Sequence, residues 1–146
     1  MKKKIIIISN WKSKDEFQQL KSNVENNISG VESFYYLACI DDPKKIETLP
    51  LISSVYYLSK RDFSIFGKIK TPLLRGLLMK ESAGLLIAAI ETETVLLKKV
   101  LKHSKLMSVG IEKENLPNFE LAFKNSQLLG GKLFKQMNTY LTKIQL

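Results

Sequence analysis

The chain has 146 residues, 45% of them apolar and 25% charged, which fits one globular domain with a real core and excludes a repeat or low-complexity protein. Its 23 Lys and Arg outnumber its 14 Asp and Glu, for a net charge of +9. The two halves share that excess about equally, and only Arg61 and Arg75 are arginines. A diffuse lysine excess favours weak contact with polyanions, whereas specific phosphate recognition more often recruits arginine.

The first residues, Met1-Lys2-Lys3-Lys4 and then Ile5-Ile6-Ile7-Ile8, have the outline of a secretory signal. The apolar run is too short, because such a signal needs roughly seven or more apolar residues. Residues 4–9 therefore read as a first strand. Its isoleucines do not alternate with polar residues, so it is expected to be buried on both faces. Ser13-Lys14-Asp15-Glu16 has the form of a capping box. Phe17, Leu20, Val24 and Ile28 keep helical spacing behind it, up to a stop at Gly30. Residues 34–40 are the second strand, broken by Asp41-Asp42-Pro43, with a short helical turn over 44–49. Cys39 is the single cysteine, lies in an apolar run and predicts a buried thiol in a reducing, cytoplasmic setting.

A third strand is expected over 55–59, then a polar loop over 60–70 pinned by Phe63 and Phe66. Thr71-Pro72 opens a helix whose apolar side is Leu73, Leu74, Leu77 and Leu78. Residues 84–111 read as a βαβ unit: strand 85–90, helix 95–102, strand 106–110. A short sixth strand is expected over 119–123. The last helix runs from near Ser126 to Ile144, with Leu129, Leu133, Met137, Tyr140, Leu141 and Ile144 on one face. Gly130-Gly131 fray its start, or it begins later. No apolar stretch approaches the roughly 18–20 residues of a membrane span, so no membrane is expected as partner. The alternation of strands and helices predicts an α/β fold, one domain over 1–146. It is a three-layer sandwich with a mostly parallel sheet of five or six strands, Rossmann-like or flavodoxin-like.

Ligands of parallel α/β sheets bind beyond the carboxyl ends of the strands. That rim holds Asn10, Asp41, Lys60, Arg61, Asp62 and Glu91. Asp41 and Asp42 with Glu91 and Glu93 have the chemistry of a divalent-cation site, but turn and helix-start charges explain them as well, and no metal is assigned. Lys60, Arg61, Asp62, Lys68 and Lys70 surround Phe63 and Phe66, and cations with aromatics are what a phosphate and a stacked base require. The plain alternative is a surface loop anchored by the two rings. Lys98, Lys99, Lys102 and Lys105 form a basic helix face, either a wet surface or an RNA-backbone contact. His103 ends that helix and suits its dipole, and Trp11 suits core packing. No phosphate loop, G-x-G-x-x-G, G-x-S-x-G elbow or zinc spacing is present, so neither a cofactor nor a catalytic residue is assigned.

The loop Lys60-Arg61-Asp62-Phe63…Gly67-Lys68, the strand Leu85-Leu86-Ile87 and the segment Ser104-Lys105…Val109-Gly110 together resemble an uncharacterised bacterial family of small cytoplasmic α/β proteins. Its members have a KDF…GK loop, a DLLI(D/N)L strand and an (S/A)K(F)KVG strand. The resemblance covers about residues 50–145, and the N-terminal strand–helix–strand in outline. Gly84 and Ala88 stand where the family has acidic or amide residues, which lowers the expectation of an enzyme. The resulting expectation is a non-catalytic binding domain for an anionic partner, RNA or a ribonucleoprotein. The competing readings are an enzyme, or degenerate enzyme relative, acting on a phosphorylated small molecule or nucleotide-sugar, and a subunit that needs a protein partner.

Overall fold

The computed structural model describes residues 4–79, 84–92, 94–124 and 131–143. The chain runs through β1 (Lys4–Asn10), α1 (Lys14–Asn27) and β2 (Ser33–Cys39). Then come β3 (Val55–Leu58), α2 (Pro72–Leu77), β4 (Leu85–Ala89) and α3 (Val95–His103). It closes with β5 (Met107–Ile111), β6 (Leu121–Phe123) and α4 (Lys132–Leu141). The strands form one parallel sheet in the order β3-β2-β1-β4-β5-β6. The sequence pattern predicts an α/β fold with a mostly parallel sheet of five or six strands, and the sheet has six strands, all parallel.

Ile5 to Ile8 form the centre of the sheet, between β2 and β4, and each is at most 3% exposed. β-Branched side chains are stiff and suit a pleated surface. Because side chains alternate along a strand, burial of four in a row requires cover on both faces. The register shows what supplies it. Tyr36, Ile7, Ile87, Val109 and Leu121 are successive partners and share one face. Phe17 of α1 meets Tyr36 on that face, and Tyr140 of α4 meets Phe123, two positions beyond Leu121. α1 and α4 therefore lie side by side, and Ser29 N–H donates to Asn138 Oδ1 between them. Tyr56 of β3 points to the opposite face and bonds Asp62 and Thr71 there. The right-handed crossover rule sends α3, which leaves β4 in the opposite sense to α1, to that second face.

Two parallel connections use no α-helix. β2 reaches β3 through a 3-10 turn, Pro43–Thr48. β5 reaches β6 through residues 112–120, with Leu116 and Phe119 buried as plugs. Several sequence expectations change in detail. α2 is short, so Leu74 and Leu78 are buried while Leu73 is half exposed. α4 starts after Gly131, buries Phe134 beside Leu133, Met137 and Leu141, and leaves Tyr140 half exposed. Ser126, Leu129 and Ile144, which the pattern placed in that helix, lie outside the described residues. Among the described residues no helix is long and apolar enough to cross a membrane.

Candidate functional site

The direction of strand addition reverses between β1 and β4. A cleft of about 260 Å³ opens there, at the carboxyl ends of both strands. Its floor is Phe17, Leu20, Ala89 and Ile90, and its rim is Asn10, Trp11, Lys12, Glu16, Glu91 and Thr92. Asn10 and Glu91, two of the expected rim residues, meet here; Asp41, Lys60 and Arg61 do not line it. The start of α1 is already satisfied by its own sequence. Ser13 Oγ accepts from Glu16 N–H at 3.1 Å, and Trp11 N–H donates to the Cys39 carbonyl at 3.1 Å. Asp15 and Glu16 put negative charge in the first turn, where a phosphate would otherwise find the dipole. Trp11 packs against Tyr57 and Phe17, with centroids 5.2 and 5.7 Å apart.

The rim acids do not converge. Asp42 caps the 3-10 turn by accepting from Lys44 N–H at 3.0 Å, and Asp41 accepts from Asp42 N–H at 2.9 Å. Among the described residues no group of three or more His, Cys, Asp or Glu is placed to hold a metal ion. Glu93, the fourth acid of the sequence reading, lies outside them.

Asp62 faces inward. It is 5% exposed, and its carboxylate accepts from Ser59 N–H at 2.9 Å and from the hydroxyls of Tyr56 and Thr71. It thereby closes a capping box over the 3-10 turn Lys60–Asp62 and ties β3 to the start of α2. Burial, and then the bond to Asp62, push the Tyr56 phenol up to about 12. The carboxylate is engaged inside the protein, while Lys60 and Arg61 beside it are exposed.

Residues 63–69 are more ordered than a loop. Phe63 and Ile69 form an antiparallel bridge. Ser64 N–H donates to the Lys68 carbonyl at 2.7 Å, and Gly67 N–H to the Ser64 carbonyl at 2.9 Å. Gly67, at φ 80°, supplies the left-handed residue that a three-residue hairpin loop needs. This hairpin lies on α3. His103 Nε2 donates to the Gly67 carbonyl at 2.7 Å, and Lys99 Nζ sits 5.3 Å from the Phe63 ring centre. Arg75 of α2 donates to the Ile69 carbonyl at 2.7 Å from the other side. The hairpin that carries the exposed Lys68 and Lys70 is thus held to α3, the helix that carries Lys98, Lys99 and Lys102. Lys105 falls beyond the helix, where its backbone N–H donates to the Leu78 carbonyl at 2.9 Å.

A model of the Family of unknown function (DUF6913) matches residues 2–144. The chain belongs to that family. This agrees with the uncharacterised family that the sequence resembles. No curated protein and no solved structure matches the chain.

In this DUF6913 chain two stretches that the sequence keeps apart, the 63–69 hairpin and α3 with Lys98, Lys99 and Lys102, come into contact, while Lys105 falls outside the helix. The sequence reading missed the joints. His103 anchors the hairpin in addition to sitting at a helix end, and Phe66, expected as a pin, is 82% exposed while Phe63 alone is buried. The role of Asp62 had a signal in the chain, since Ser59-Lys60-Arg61-Asp62 is an S-x-x-D box.

Proposed function

We propose that this chain is a non-catalytic, cytoplasmic binding domain whose partner is a polyanion, with RNA favoured, docking on the hairpin–α3 face. The observation that supports the reading is the His103–Gly67 bond, which ties the hairpin carrying Lys68 and Lys70 to α3, which carries Lys98, Lys99 and Lys102. No Asp or Glu occurs in residues 63–79 or 95–107, so both stretches are basic in composition. Mobile ammonium groups on such a surface suit a phosphate backbone better than a single bound ion. The strand order is that of a Rossmann-like sheet. Yet Asn10-Trp11-Lys12-Ser13 replaces the glycine-rich phosphate turn, which argues against a dinucleotide and for surface binding.

The test is the affinity for a labelled mixed-sequence RNA across a salt series. Three or four phosphate contacts predict a log–log slope of about −2 to −3, since each contact to a single strand contributes about −0.7. The double substitution K68Q/K102Q is expected to weaken binding and flatten the slope by about 1.4. An affinity indifferent to salt, or unchanged in the double variant, refutes the reading.

A further inference from the structure

We infer that the hairpin–α3 face takes unpaired nucleic acid, with Phe66 as the platform on which one base stacks. This rests on the polyanion reading above. Phe66 is 82% exposed and Ile65 is 94% exposed, although both stand in an ordered hairpin. The backbone that presents the ring is fixed on every side. Ser64 Oγ accepts from Phe66 N–H at 3.3 Å and from Lys68 N–H at 3.1 Å. His103 holds the Gly67 carbonyl, so the loop is clasped to α3 and does not swing free. A ring offered on a preorganised turn loses little freedom when a flat ligand covers it.

The surroundings select the ligand. Lys68 is two residues from the ring, and Lys102 is next to the clasping His103. An exposed aromatic on a hairpin with lysines, held to a lysine-bearing helix, matches the chemistry of a single strand, where each base carries a phosphate beside it. Bases inside a duplex are stacked on each other and offer no face to a side chain. Phenylalanine has no hydrogen-bonding group, so the stack discriminates paired from unpaired and not one base from another.

The experiment compares wild type, F66A and F66W against a short oligouridylate, a duplex RNA with the same number of phosphates, heparin, and phosphatidylserine-containing vesicles. Thermal unfolding of F66A should match wild type, because the ring makes no core contact. Wild type should prefer the oligouridylate to the duplex. F66A should lose about tenfold on the oligouridylate and little on heparin, while F66W retains tight binding. Duplex bound as tightly as single strand, with F66A indifferent, overturns this inference while a K68Q/K102Q effect leaves the polyanion reading standing. No binding to any of the three polyanions removes that reading itself. Vesicle binding that F66A abolishes, without binding to the oligouridylate, overturns the inference in favour of a lipid surface.

Discussion

Gly110 has a phenyl ring where a side chain would go. A Cβ at that position would lie 2.4 Å from Cε2 of Phe119. Phe119 is buried and closes the 112–120 crossover onto β5, helped by Ser108 Oγ, which accepts from Glu120 N–H at 3.0 Å. Gly110→Ala should therefore cost about 1–3 kcal/mol in urea unfolding, as overpacking does. The cost should shrink in a Phe119→Leu background, since the two positions compete for one space. The glycine was legible as the end of a strand, but its reason was not, because Phe119 is nine positions away in a stretch without period. Asp62 shows the converse. A charged residue in a polar segment reads as solvent-facing, and its burial is tolerable because the Ser59 N–H and the hydroxyls of Tyr56 and Thr71, brought in from β3 and the foot of α2, all donate to it.

Elements with a period were read well, and elements built from single bonds were not. The isoleucine run, the Ser13 cap and the 95–102 helix all follow from spacing or a local hydroxyl. The 63–69 hairpin has one bridge and one left-handed glycine, too little pattern to stand out. Its order depends on His103, 36 residues further along. His103→Ala should remove about 1 kcal/mol of local stability. The check is amide exchange: Ser64, Gly67 and Lys68 should exchange faster, while amides of β1 and β4 keep their protection. Equal protection of the hairpin in both proteins would show that Phe63 packing suffices to hold it.

For the molecule as a whole, strand alternation declared a parallel α/β sheet, but the order β3-β2-β1-β4-β5-β6 comes from long-range pairing that no local spacing encodes. The same burial that makes the core gives it an alkaline limit. Burial lifts the Cys39 thiol from 9.0 to about 12 and the Tyr56 phenol from 10.0 to about 12. Burial also raises Tyr36, with its hydroxyl donating to Glu25 at 2.6 Å, and Tyr57. The unfolded chain releases these protons first, so their contribution to stability is complete below about pH 9 and is lost as pH rises toward 12. Urea midpoints should be insensitive to these groups up to about pH 9 and then fall, less steeply in Tyr56→Phe. A midpoint that stays level to pH 12 would contradict the burial of these groups. The central place of β1 has one more consequence, for synthesis. β2 emerges from the ribosome soon after β1, but the other flank of the isoleucine strand pairs with β4, near residue 85. Until then the nascent chain shows a bare, uncharged, strand-prone edge, which is a template for aggregation. Lys4 and Lys12 stand at the two ends of that strand, the positions where charge restrains edge-to-edge pairing.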